Sequence, residues 1–256
     1  MADLDCQTYD STLRTFAEIH ETTTDFVRSF IEGLSISSVE YESNEEDRKY
    51  DDIIMSKWKS HILSQEKIDS VYWFHATRLF KNHNILENGI LNIDDMIPIL
   101  FSQVRSLCEK EVSDDDWESF VEKIKSNFRY KSKMAGFDKG PFGFLIMEPM
   151  FLYRDVKSYS RDYLKGCELI EDMCTVIGGS LGGKIYDRYF NQTNPCIIKF
   201  RADARGDELY AVLYYLWLRC HNIEHINCID ANTCYDGCGN NVAPNRIAAI
   251  IQCEYM

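Results

Sequence analysis

No stretch of this chain approaches the roughly eighteen consecutive apolar residues that a helical membrane span requires, so no such span is expected. The N-terminus, MADLDCQTYD, lacks the basic and then apolar regions of a secretory signal, and the protein is expected to stay in the cytoplasm. Positive charge is scarce. The 28 Lys and Arg stand against 41 Asp and Glu, a net charge of −13, which argues against a general nucleic-acid binder. Paired C-x-x-C spacings, internal repeats and low-complexity segments are also missing, so neither a strong zinc site nor a solenoid is indicated.

What is present is ordinary globular material. The 256 residues suggest one large domain, or a domain with a helical extension. At 45% hydrophobic and 27% charged residues the chain has enough apolar surface for a real core. With no export signal, the ten cysteines read as free thiols. Cys174 before Thr-Val-Ile and Cys196 before Ile-Ile read as small hydrophobes. Charge is uneven. Residues 1–68 hold 15 acidic and 7 basic side chains, a net of −8, while residues 123–165 hold 10 basic and 4 acidic, a net of +6. The basic stretch leaves room for a local anionic partner; a plain solvated surface explains it equally well.

Apolar residues at helical spacing predict a helix over 8–35 and another over 49–65, with SISSVEYESNEED as a polar connector between them. At 71 the character changes. VYWFHATRLF predicts a strand, and HNILENGIL a short helix stopped by Gly89. Residues 103–130 predict one or two helices, with Ser113 as an N-cap. GFDKGPFGFLIMEPMF reads as loop, strand and turn, and DVKSYSRDYLKGCELIEDMCTVIGG as helix ending at paired glycines. PCIIKFRAD, IEHINCIDA and RIAAIIQCEY read as strands, and GDELYAVLYYLWLRCHN as a helix buried on more than one face.

Three segments carry chemistry together. The first is Phe74-His75-Ala76-Thr77-Arg78 with Asn84-Ile85-Leu86-Glu87-Asn88-Gly89-Ile90. The second is Gly140-Pro141-Phe142-Gly143-Phe144-Leu145 running to Glu148-Pro149-Met150-Phe151-Leu152-Tyr153. The third is Ile223-Glu224-His225-Ile226, followed by Pro244-Asn245-Arg246-Ile247. In order and spacing these resemble the NAD-binding and catalytic segments of ADP-ribosyltransferases, above all the DarT-type and PARP-type branches. The second segment departs from that pattern at Gly143, where an aromatic is usual.

The resemblance implies an α+β fold with a split mixed β-sheet core over 69–256, carrying a helical N-terminal extension over 1–68. It implies NAD as co-substrate and transfer of ADP-ribose to a macromolecular acceptor, nucleic acid or protein, in a toxin or phage-defence setting where an antitoxin or a basic partner protein could block the site. Glu224 would be the catalytic carboxylate, and Arg129 stands where the family places a catalytic arginine. His75 and Thr77 would hold the ribose and carboxamide, Tyr153 or Tyr159 would stack on the nicotinamide, and Arg78 or Arg129 would meet phosphate. Glu254 and Glu208 compete with Glu224, and Glu208, opening a helix, also fits a cap. Two alternatives stay open: a catalytically inactive binding module of the same fold, and a zinc-containing enzyme or interaction protein.

Other signals are weaker. His221-Asn222-Ile223-Glu224-His225 spells H-x-x-E-H, but it straddles a helix end and a β-like run, whereas zinc needs both histidines on one helical face. Cys228, Cys234 and Cys238 lack paired spacing, and no metal is expected. Gly178 to Lys184 fits half a phosphate loop, but Ile185 stands where Ser or Thr would hold magnesium, so a glycine-rich connector is the reading.

Overall fold

The computed structural model describes residues 2–62, 68–81, 84–109, 111–136, 139–154, 164–223 and 231–253; of residues 2 and 152–154 only the backbone is described. The elements in order are β1 (Ala2–Leu4), α1 (Tyr9–Ile19), α2 (Thr24–Gly33), α3 (Ile36–Glu46), α4 (Tyr50–His61), β2 (Ile68–Phe80), α5 (Ile85–Asn88), α6 (Ile93–Leu107), α7 (Asp114–Ser126), α8 (Phe128–Ala135) and β3 (Phe142–Phe144). A 3-10 turn (Glu148–Arg154), α9 (Glu168–Ile177), α10 (Gly179–Gln192), β4 (Thr193–Asp203), α11 (Glu208–Cys220), β5 (Cys234–Asp236), a second 3-10 turn (Pro244–Arg246) and β6 (Ile247–Gln252) complete the chain. Among the described residues the strands form one sheet of order β5-β3-β2-β4-β6, with β1 alongside β2. β1 pairs with β2 in parallel, while β2 with β3 and β4 with β6 are antiparallel. The chain is therefore α+β with a mixed sheet. No helix among the described residues is long and apolar enough to cross a membrane.

Chain contacts divide the protein into two units. Unit 1 takes Met1–Phe74, Phe144–Arg161 and Arg201–Cys234; unit 2 takes His75–Gly143, Asp162–Phe200 and Tyr235–Met256. The 1–68 segment thus shares a unit with α11, and it begins with a strand as well as helices.

In unit 1, α1, α2 and α4 pack against α11. Val212, Leu213, Tyr215, Leu216, Trp217 and Leu218 of α11 are all buried, as its unbroken apolar sequence predicts. The expected single helix over 8–35 is two helices. Glu21 takes φ 51°, and the Thr23 side chain accepts from Phe26 N to start α2. The expected polar connector is α3, capped by Ser35. Only Val39 of this helix is buried, so its composition resembles that of a loop. The expected strand over IEHINCIDA falls mostly outside the described residues.

His20 caps α1 inside an aromatic cluster, with ring centroids 4.4 Å from Phe16 and 5.2 Å from Trp58. It is 2% exposed. Burial pushes its pKa down to about 4, and the Lys59 ammonium acts in the same direction. The unfolded chain binds this proton near the ordinary value of 6.5, whereas the folded chain resists until about 4. Stability from neutral His20 is therefore complete above about pH 6.5 and drains away as pH falls toward 4. Urea denaturation followed between about pH 7 and pH 4.5 should show a loss on the order of 2 kcal/mol from this group, absent in His20→Phe. An identical acid loss in the variant would contradict this.

In unit 2, β4 runs antiparallel to β6 from Cys196↔Gln252 to Phe200↔Ile247. A cluster from α6, α7, α9 and α10, including Leu100, Val104, Ile124, Ile170, Met173 and Ile185, forms the core. Ser113 caps α7 as expected, accepting from Asp116 N at 3.1 Å. Burial raises the thiols of Cys174 and Cys196 to about 12, so both stay protonated and act as apolar filler. The expected glycine-rich connector at 178–184 is instead the start of α10. A Cβ on Gly182 would sit 2.2 Å from the Cys174 carbonyl oxygen, so the glycine permits the close approach of α9 and α10. Gly183, next to it, faces open space. Gly183→Ala should stabilise the chain by up to about 1 kcal/mol, while Gly182→Ala should destabilise it by about 1–3 kcal/mol. Thermal melts of the two variants check the opposite signs.

Candidate functional site

The site is built on the second half of β2. The two-residue period of a strand puts His75 and Thr77 on one face. His75 and Thr77 both line a cavity of about 220 Å3 that lies wholly within unit 2. Ala76, Arg78, Leu79 and Phe80 of the same strand line it too, and its other walls come from Ile85 of α5, Gly89, Leu91, then Met96, Leu100 and Gln103 of α6, Gly166 to Leu169 at the start of α9, Tyr189 of α10 and Ile198 of β4. Gly89 ends α5 at φ +73°, and a Cβ there would lie 2.0 Å from the Val242 carbonyl oxygen. The expected glycine stop is therefore also a point of close backbone approach, beside the Ile90–Val242 bridge.

His75 Nδ1 lies 2.6 Å from the Phe142 carbonyl oxygen. A carbonyl only accepts, so Nδ1 carries the proton and donates it, leaving Nε2 with the free lone pair. Burial lowers the His75 pKa, and the Phe142 carbonyl works against that shift. The imidazole is thus a neutral, oriented group with one acceptor nitrogen. Tyr189 at the cavity wall is held protonated by burial.

Arg78 departs from expectation. It is 7% exposed. Nε donates to Thr193 Oγ1 at 3.0 Å, NH1 to the Leu164 carbonyl at 2.9 Å, and NH2 to the Phe190 and Thr193 carbonyls at 3.0 and 2.8 Å. The guanidinium also lies 4.1 Å from the Phe190 ring centroid. The Phe190 and Thr193 carbonyls lie at the C-terminal end of α10, where the helix dipole favours a cation. The fork is committed to the protein's own backbone, so the expected phosphate role is replaced by a structural one.

Arg129 does not line the cavity. It sits on α8 and pairs with Glu168 at 3.2 Å and Asp172 at 3.1 Å on α9, and Lys133 bridges the same two acids. Glu168 itself does line the cavity. Among the described residues it is the carboxylate that lines the cavity with His75 and Thr77, and its place in the first turn of α9, after Gly166-Cys167, was its signal in the sequence. Gln103 and Tyr189 are the other polar groups that sequence reading did not single out. Glu208 is wholly buried and accepts from Arg205 N and Gly206 N, both at 2.7 Å, so its carboxylate holds the loop that leads into α11 rather than capping the helix. Glu224, Tyr159 and Glu254 lie outside the described residues, as does the side chain of Tyr153.

For the zinc signals, His221 ends α11 with Nε2 3.1 Å from the Ile31 carbonyl oxygen. His225 and Cys228 lie outside the described residues. Among those described, no three His, Cys, Asp or Glu side chains gather closely enough to hold a metal ion.

Arg78→Met should destabilise the protein by about 2–4 kcal/mol, because it strands buried carbonyls. Arg78→Lys, which keeps the charge but loses the fork, should recover only part of that. Urea titration measures both; a loss under about 1 kcal/mol in Arg78→Met would overturn the structural role. Compared with protein-family models, curated proteins and solved structures, the chain matches none.

Proposed function

We propose that this protein is an NAD-dependent ADP-ribosyltransferase that uses the unit 2 cavity for the nicotinamide end of NAD and passes ADP-ribose to a macromolecular acceptor. The observation that carries the reading is that His75 and Thr77 line a single cavity, with the His75 tautomer set by Phe142. A cavity of about 220 Å3 falls below the ~300–1,000 Å3 of sites that enclose a whole drug-sized ligand, so it suits a ring and its sugar, with the adenylate outside.

The reaction breaks the nicotinamide–ribose bond, and nicotinamide leaves with the electron pair. Positive charge builds on the ribose carbon, the acceptor nucleophile bonds there, and its proton passes to a base. Neutral His75 and the Thr77 hydroxyl orient the substrate without taking part in bond-making. A carboxylate stabilises the developing charge. Glu224 is the candidate by resemblance, and Glu168 is the candidate by position.

A second reading, an NAD-binding module without turnover, is favoured by the commitment of Arg78 to backbone carbonyls, which removes one expected phosphate ligand.

Incubation with NAD, with and without cell lysate as acceptor, separates the two readings. Nicotinamide release is expected from the wild-type chain, at least tenfold slower in His75→Ala and lost in one of Glu224→Gln or Glu168→Gln, on the order of a removed orienting group or charge-stabilising carboxylate. Thermal stabilisation by NAD without release would establish the binding module. Neither release nor stabilisation would end the proposal.

A further inference from the structure

Met96, Leu100 and Gln103 stand at i, i+4 and i+7 on α6, one face of the helix, and all three line the unit 2 cavity. Leu100 belongs to the unit 2 core, and Met96 packs against that core. Packing alone calls for a third apolar residue at 103. The position carries a primary amide instead.

That amide is not used by the protein itself. The Gln103 backbone carbonyl accepts from Ser106 Oγ at 2.7 Å, but among the described residues its side chain makes no hydrogen bond. Gln103 is half-buried, and an amide against apolar walls is costly until something polar meets it. The other polar groups of the cavity are committed or one-sided. The Arg78 fork is held by Thr193 and by backbone carbonyls. Glu168 is paired with Arg129 and Lys133, neither of which lines the cavity. The Tyr189 hydroxyl already meets the Cys167 backbone. His75 Nε2 only accepts. With one charge of each sign on the lining, both paired elsewhere, the cavity suits a neutral ligand. Gln103 offers that ligand a donor and an acceptor side by side.

We infer that Gln103 is the specificity-determining residue that reads a carboxamide on an aromatic ring, donating to its carbonyl and accepting from its amino group. The inference rests on the reading of this cavity as the seat of the nicotinamide end of NAD, and it leaves His75 Nε2 and the Thr77 hydroxyl to the ribose. Met96, Leu100 and Leu169 supply apolar surface for the ring.

Ligand-observed NMR titration of the full chain with nicotinamide and with the matching pyridyl methyl ketone tests this, because the ketone keeps the carbonyl and lacks the amino group. The wild-type chain should bind nicotinamide about five- to tenfold more tightly than the ketone, as the loss of one hydrogen bond predicts. Gln103→Met, which keeps side-chain length and helix propensity, should bind the two equally. A wild type without the preference overturns the assignment, as does the absence of saturable nicotinamide binding. A packing role would weaken both ligands alike in Gln103→Met and leave their ratio unchanged, which also overturns it. Nicotinamide release from NAD alongside that unchanged ratio would spare the transferase reading and remove Gln103 alone. Equalised binding in Gln103→Met, in a chain that never turns NAD over, would establish Gln103 while the transferase reading fails.

Discussion

Unit 2 depends on a permanent positive charge placed where several segments of the chain meet. Arg78 donates to three backbone carbonyls and a threonine hydroxyl. What offsets the loss of water is the geometry of the guanidinium fork and the negative end of α10. Thr193 Oγ1 passes the chain of bonds on by donating to the Tyr189 carbonyl at 2.7 Å. One side chain on β2 thereby fixes the end of α10, the start of β4 and the stretch at Leu164. Tyr189 and Ile198, on two of those elements, are walls of the cavity.

The same stretch of β2 lines the cavity. His75, Thr77 and Arg78 all stand on its wall, with the Arg78 fork drawn to the carbonyls of Leu164, Phe190 and Thr193. The Phe142 carbonyl then selects the His75 tautomer, so its remaining acceptor is available to a ligand. The α8–α9 ion pairs act from the other side. Arg129 and Lys133 hold Glu168 at the mouth of the helix that supplies the fourth wall. An exposed pair of this kind contributes little to stability by itself, and its effect here is to position the carboxylate.

Much of the architecture was legible because local rules decided it. The strand at 71, the Ser113 cap, the Gly89 stop and the apolar helix over 208–220 each depend on residues close together in the chain. The failures have equally definite causes. α3 buries only Val39, so periodicity had almost nothing to register. The glycines of α10 resembled a connector because the reason for Gly182, the carbonyl of Cys174, belongs to another helix. The role of Arg78 was invisible because its partners lie 86 to 115 residues away, and a committed arginine has the same one-letter code as a free one. Glu168 enters the cavity only once α9 is placed. The closeness of His75 and Thr77 was readable, since they stand two residues apart on one strand.

His20 sits between the rings of Phe16 and Trp58, with almost none of its surface open to water. A proton arriving there brings a charge where no solvent can share it. Acid therefore works on unit 1 from inside its aromatic cluster rather than from its surface.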